Sequence, residues 1–408
     1  MNRVFYGWWV TLACSLIGFY VGGVVFFGFT AFIEPIADEF GWSYTQISLA
    51  VSLRGLEMGI FAPVVGFLVD RFGSRKMIFW GTITMGLGLF LLSRTQSLIM
   101  FYGSFLLLAF GAGGCTSVVT MTAVANWFRK KAGIALGIMG SGIGAGGLVV
   151  FLIVYLIDRY QWRTTLIIIG LGMWAIGIPL SFVIRNRPEP YGYLPDGETS
   201  ATTGQIQMIQ DQGTEIGLRQ ALKMRTFLYL NLAEAVRMMT LMAVFTHVMP
   251  YLGSLGMPRS TAGAVAGAIP LIGIIGRFGF GWLADIFDKK RVMAMALSLI
   301  SLGTLAFSYV HVKWVILPFL VLFPLGHGGS MVVRGAILRE YFGRNAFGKM
   351  IGMVMGSASI GGIIGPTLAG WFYDTWGNYR LSWFVLFVLL LAGVALILKI
   401  KPATPESR

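Results

Sequence analysis

Gly66-Phe67-Leu68-Val69-Asp70-Arg71-Phe72-Gly73-Ser74-Arg75-Lys76 closes one apolar stretch of this 408-residue chain. The stretch Gly281-Trp282-Leu283-Ala284-Asp285, with Lys289-Lys290-Arg291 after it, closes another, and its aspartate stands 215 residues beyond Asp70. A Gly-x-Leu-x-Asp turn with a basic tail, repeated at about half the chain length, is the mark of two homologous halves.

Composition says what those halves sit in. Hydrophobic residues make up 56% of the chain and charged residues 12%, about half the charge of a soluble globular domain. Counting apolar stretches of about 20 residues predicts twelve transmembrane helices, starting near Gly7, Tyr44, Lys76, Leu98, Ala132, Arg163, Phe227, Ser260, Val292, Trp314, Gly348 and Leu381. The fold class expected is an all-α membrane protein with two six-helix bundles. The domain boundaries read as 1–184 for the first bundle, 185–225 for a polar cytoplasmic linker, 226–401 for the second bundle and 402–408 for a tail. The first apolar run is long enough to span, so it reads as a retained helix rather than a cleaved leader.

The net charge of +14 invites a nucleic-acid partner, and topology removes it. With both termini cytoplasmic, the segments on that side hold most of the 31 Lys and Arg, which is the positive-inside pattern. The location expected is the cell (inner) membrane, multi-pass. The 55 glycines read as close helix packing. Cys14 and Cys115 lie in apolar runs, so neither a disulfide nor a metal site is expected.

A second repeat strengthens the first. Trp127-Phe128-Arg129-Lys130-Lys131 opens the fifth helix, which carries Met139-Gly140-Ser141 and ends at Asp158; Tyr341-Phe342-Gly343-Arg344 precedes the eleventh, which carries Met355-Gly356-Ser357 and ends at Asp374. Duplicated membrane halves are how secondary transporters are built, with substrate bound between the repeats.

These motifs resemble the major facilitator superfamily over nearly the whole chain. The resemblance implies that the cassette's charged residues form a cytoplasmic gate, so Asp70, Arg71, Arg75 and Asp285 are gating candidates. A narrower resemblance is to the monocarboxylate and oxalate/formate transporter group. It rests on Asn126-Trp127-Phe128 with Gly133-x-Ala135-x-Gly137, on Pro188-Glu189-Pro190-Tyr191-Gly192, and on Pro195-Asp196-Gly197. Arg277, four residues before Gly281, matches the arginine that binds the substrate carboxylate in that group. The chain also departs from it. Tyr6-Gly7-Trp8-Trp9 lacks an acidic residue before the glycine, the first helix and the middle of the eleventh lack lysine, and Gly273 stands where relatives have an aspartate.

Six charged residues fall inside predicted spans: Arg54, Glu57, Glu234, Arg237, Arg277 and Arg334. A charge at the bilayer centre costs about 3 kcal/mol or more, so each is a functional candidate. Arg54 with Glu57, and Glu234 with Arg237, are three apart, which puts each pair on one helical face. A pair that opens during the cycle would free its carboxylate for a proton; a pair that stays closed would only fix packing. Arg277 and Arg334 have no acid within a turn, so they should draw an anion, which planar arginine grips bidentately. Arg334 also reads as part of a cytoplasmic gate network.

His247 and His327 can change charge near neutral pH. His247, just before Met249-Pro250, is expected at a helix break with a water-exposed ring. His327, in Pro324-Leu325-Gly326-His327-Gly328-Gly329, is expected in a loosened helical segment. Tyr20 and Phe27 are cavity candidates on the first helix. Trp8, Trp9, Trp42, Trp162, Trp376 and Trp383 fall at predicted interfaces, as anchoring belts do. The glycine-rich runs lack the Lys-Ser/Thr of a phosphate loop.

The function expected is alternating-access transport of small organic anions, foremost monocarboxylates by proton symport, as a monomer and without a cofactor. Arg277, Tyr20, His327 and Arg334 are the substrate-binding candidates. Glu234, Glu57, Arg237, Arg54 and His247 are the proton-coupling candidates. The rival readings are organic-anion antiport without protons and a non-transporting membrane receptor. No nucleophile–base motif points to an enzyme.

Overall fold

The computed structural model describes residues 5–53, 62–115, 117–128, 131–194, 224–342 and 347–400. Arg54 and Glu57 lie outside the described residues.

The described elements are helical. In chain order they are α1 (Tyr6–Val21, continued by a wider π turn over Gly22–Phe27), α2 (Thr30–Phe40), α3 (Tyr44–Ser52), α4 (Ala62–Phe72), α5 (Ser74–Ser93), α6 (Leu98–Gly113), α7 (Ser117–Ala125), α8 (Ala132–Ala145) and α9 (Gly147–Val183). After them come α10 (Arg225–Ser254), α11 (Arg259–Ile286), α12 (Lys289–Ser308), α13 (Ile316–Phe342), α14 (Phe347–Trp376) and α15 (Arg380–Lys399). Among the described residues, ten helical segments are long and apolar enough to cross a membrane. The fold is that of a multi-pass all-α membrane protein. Helix starts fall within a few residues of the expected ones. α9 spans the expected junction of the fifth and sixth helices, and its backbone turns there at Gln161, with φ 64°.

The chain divides into two compact units. One is Met1–Phe29 with Ile60–Gln210, and the other is Thr30–Gly59 with Asp211–Arg408. In the first, α1 packs on α8 and α9, and α5 packs on α6 and α9. In the second, α10 packs on α14, α13 on α11 and α12, and α15 on α12 and α10. α2 packs on α10, and α3 lies along α14.

Backbones approach very closely where a glycine faces a neighbouring helix, as membrane helices lacking a hydrophobic drive between them require. A Cβ on Gly361 or Gly365 of α14 would land on the carbonyl oxygens of Ala235 and Met239 in α10. A Cβ on Gly328 of α13 would land on the Gly273 carbonyl of α11. The glycines around His327 therefore tighten a helix crossing, and α13 runs unbroken through them, against the loosened segment expected from sequence. Gly328→Val should force α11 and α13 apart and destabilise the fold by about 1–3 kcal/mol. Gly335→Ala, on the same helix with nothing within 4 Å, should be neutral or slightly stabilising. Thermal unfolding of the two purified variants checks the contrast.

Two tryptophans expected in interfacial belts are core residues. Trp383 is fully buried against Tyr379 and Phe307. Trp162 is buried under the Arg163 guanidinium, 4.5 Å from its ring centroid.

Candidate functional site

The second unit holds a buried polar ladder. Glu234 and Arg237 are three residues apart on α10, which places them on one face. Arg237 Nε donates to Glu234 Oε2 at 2.8 Å, and its Nη2 donates to Oε1. The pair is shut, and Glu234 has no solvent exposure. The acid missing near Arg334 in sequence is supplied across helices: Arg334 Nη1 of α13 donates to the same Oε1. One carboxylate therefore holds two guanidiniums. A buried charge survives only when paired and hydrogen-bonded, and this arrangement meets that condition for Glu234 on both oxygens.

His327, Ser330 and Arg334 are spaced i, i+3, i+7, one stripe of α13. Ser330 Oγ donates to the His327 carbonyl at 2.9 Å and accepts a long bond from Arg237 Nη1 at 3.5 Å. The His327 ring meets Phe245 edge to face, with centroids 5.5 Å apart. The charges acting on that ring are Arg237, Arg277, Arg334 and Glu234, three guanidiniums to one carboxylate. Arg277 is half-buried on α11, one turn beyond Gly273, where a Cβ would sit 3.8 Å from His327 Cδ2.

His247 is fully buried and α10 continues past Pro250 to Ser254; neither the helix break nor the water-exposed ring is found. Its ring is held by Ser48 Oγ of α3 at 2.8 Å and the Pro366 carbonyl at 2.9 Å, both on Nε2, and by Tyr379 Oη on Nδ1 at 3.0 Å. The carbonyl can only accept, so Nε2 carries hydrogen in this arrangement. Beside Pro250, the Met249 N–H donates to Thr30 Oγ1 of α2 at 3.2 Å. This seam continues through Ser52 Oγ and Thr367 Oγ1, 3.0 Å apart. At its end, Asp374 caps α3: its carboxylate accepts from Tyr44 N at 3.1 Å, from Thr45 N at 2.8 Å and from Thr45 Oγ1.

The sequence reading overlooked Asp374 as more than a repeat landmark, along with Ser48, Ser330 and Tyr379. It also overlooked Glu34, which lies beyond the apolar span Tyr6–Phe27. Burial pushes the Glu34 carboxyl above the usual carboxylate range; Arg259 opposes the shift and Asp38 adds to it.

The remaining candidates lie elsewhere. Tyr20, in the first unit, donates its hydroxyl to the Ile169 carbonyl at 2.6 Å. Of the cassette, Arg71 is exposed with its guanidinium 5.5 Å from the Phe72 ring centroid, and Arg75 lies 5.2 Å from that of Phe182. Asp70 is on α4, and Asp285 is exposed near the end of α11. The signature residues do converge in the first unit. Asn186 Oδ1 accepts from Arg75 N at 2.9 Å, and Asn126 Nδ2 donates to the Asn186 carbonyl at 2.9 Å. Trp127 Nε1 donates to the Arg185 carbonyl at 2.9 Å, and the Arg185 guanidinium lies 4.0 Å from each of the Tyr6 and Tyr191 ring centroids.

A multi-pass helical protein with glycine-tight crossings and a buried arginine cluster fits the build of a membrane transporter. Its family follows from comparison with known proteins: the profile of the Major Facilitator Superfamily matches residues 14–332 and 238–408, and the chain belongs to that superfamily.

Among curated proteins, Monocarboxylate transporter 13 of Rattus norvegicus is 24% identical over 405 residues, 96% of this chain and 88% of that protein. Monocarboxylate transporter 12 of Xenopus laevis is 23% identical, covering 98% of this chain and 91% of its own length. An uncharacterized MFS-type transporter, YcxA of Bacillus subtilis (strain 168), is 23% identical over 92% of this chain and 90% of its own. Among solved structures, a bacterial homolog of the human lysosomal transporter Spinster, inward-facing and unoccupied, superposes with a TM-score of 0.79 at 16% identity over the full length of both chains. That likeness is one of fold.

Proposed function

We propose that this protein carries small organic anions across the cell (inner) membrane by alternating access, with monocarboxylates as substrates and protons moving with them. The carrying observation is the cluster around His327, where Arg237 and Arg334 share the Glu234 carboxylate and Arg277 acts on the same ring. A net positive charge in an apolar bundle attracts an anion, and arginine's planar fork matches a carboxylate. Arg277 binds the carboxylate. Glu234 or Glu57 carries the proton, with His247 or His327 as helper, and Tyr20 lines the path. Asp70, Arg71, Arg75 and Asp285 gate it on the cytoplasmic side, where both termini lie, and one copy of the chain suffices. The names of the monocarboxylate transporter relatives support the substrate class.

One observation favours exchange as a second reading. Both oxygens of Glu234 are occupied by Arg237 and Arg334, so no proton fits there until a guanidinium leaves. A carrier left positively charged when empty would reorient best with an anion aboard in each direction.

Uptake of labelled lactate into proteoliposomes separates the two. Symport gives accumulation in empty vesicles under an inward proton gradient, collapsing with the gradient. Exchange needs internal anion and ignores the gradient. If Glu57→Gln with Glu234→Gln leaves gradient-driven accumulation intact, the coupling assignment is wrong.

A further inference from the structure

α2 packs along the end of α10, and the two helices meet in matching four-residue steps. Thr30 Oγ1 accepts from Met249 N at 3.2 Å. Four residues further along each helix, a Cβ on Gly253 would land on Glu34 Oε1, so the carboxylate occupies the room that glycine leaves. Positions four apart share one helical face, which puts Glu34 in the same seam as Thr30. Arg259, the first residue of α11, holds the start of α2 by donating Nη2 to the Ala31 carbonyl. Thr30 and the Ala31 carbonyl keep their character at any pH, whereas half-buried Glu34 can change charge. Its surroundings disfavour the ionised form. Gly253 is one residue from the end of α10, and a helix C-terminus carries about half a negative charge. Asp38, one turn further on α2, adds a like charge, and Arg259 opposes it. Tyr44 of α3, Tyr373 of α14 and Tyr379 before α15 also feel the carboxylate, but tyrosine is neutral up to about pH 10. Asp374 acts on the same three tyrosines and is engaged in capping α3.

We propose that Glu34 is a proton-operated latch: protonated, it closes α2 on the last turn of α10, and ionised, it lets that turn loosen. A neutral carboxyl rests on Gly253 without opposing the helix dipole. It also gains an O–H that a last-turn carbonyl can accept on its second lone pair. An ionised carboxylate is pushed away from the negative end of α10 and from Asp38, toward Arg259. Burial is the main force holding the Glu34 carboxyl above the usual carboxylate range; Arg259 opposes the shift and Asp38 adds to it. A group raised in this way in the folded state stabilises the seam fully in acid, and that hold is lost as pH rises through the raised value. The latch lies beyond the far end of the span Tyr6–Phe27, on the outer face in the topology proposed above. In that topology, external acidity controls this end of the carrier separately from the proton that drives uptake. The latch itself does not depend on that orientation.

The test is hydrogen exchange read by mass spectrometry on the purified full-length protein, without substrate. It runs across a pH series from the ordinary carboxylate range to mildly alkaline, with rates corrected for the intrinsic pH dependence of exchange. Peptides covering α2 and the last turn of α10 are followed, with α5 of the first unit as the reference. In the wild type, protection of that last turn should fall about two- to fivefold as pH rises, the effect of one charge at a helix terminus. Its midpoint should lie above the usual carboxylate range. Glu34→Gln keeps the size and loses the titration, so it should hold the protected level at every pH. Gly253→Ala fills the notch and displaces a flexible carboxylate, so it should remove the pH dependence while α10 stays helical. Wild-type protection that is flat with pH overturns the latch, whether or not either variant folds. A pH dependence that survives unchanged in Glu34→Gln also overturns it and moves the titration to Asp38 or Asp374. Neither result touches the anion-carrier reading, and a failure of lactate uptake leaves the latch standing.

Discussion

Arg277→Lys should cut carboxylate uptake in proteoliposomes at low substrate by about ten- to a hundredfold while the protein still folds and inserts. Lysine preserves the positive charge, and so the electrostatic attraction, but replaces a planar two-pronged donor with a point charge on a flexible stem. Losing one charge-assisted bond to the substrate removes about 1.5–3 kcal/mol, which is about ten- to a hundredfold in affinity. Half-buried Arg277 stands on α11 beside a crossing fixed by Gly273 and Gly328, so the shorter-reaching head has no free backbone movement with which to compensate. The measurement is initial uptake rate against substrate concentration, with the thermal transition of the detergent-solubilised variant as the folding control. Wild-type kinetics in the variant would remove Arg277 from the binding site.

Glu234→Gln should be the most destabilising single change in the second unit. Its carboxylate is fully buried and holds Arg237 and Arg334 at once. Glutamine leaves two guanidiniums facing each other with no anion between them. Removing one partner of a buried ion pair costs about 3–5 kcal/mol, and here two partners are stranded. The companion experiment is Glu234→Gln with Arg237→Gln. The double variant restores the wild-type net charge of the trio, so most of the lost stability should return. A single variant as stable as wild type would mean that water already reaches the pair.

How far the sequence revealed this arrangement depended on whether the information was local. The Glu234–Arg237 contact was legible because three residues on a helix are a single turn. The helix starts were legible because apolar runs end at Gly, Pro and charge. The Arg334–Glu234 bond was not, since it joins positions one hundred residues apart, and nothing in either segment names the other. His247 was misplaced for a related reason. Beside Met249-Pro250 it reads as a helix end, yet Thr30 Oγ1 takes the Met249 N–H and Ser48, Tyr379 and Pro366 take the ring. Polar groups supplied from distant segments turned an apparent end into a core. Asp374 was visible as a repeat landmark, but its role as the cap of α3 depends on a helix starting 330 residues earlier.

The seating of α2 and α3 bears on how the halves depend on each other. The sequence repeat divides the chain near its middle, yet His247 and Asp374 of the second half are satisfied by Ser48, Tyr44 and Thr45 of the first. Repeat and cohesion therefore run along different boundaries. A fragment beginning at the linker would carry a buried imidazole missing one partner and a carboxylate with no helix to cap. The two fragments co-expressed should recover what neither holds alone.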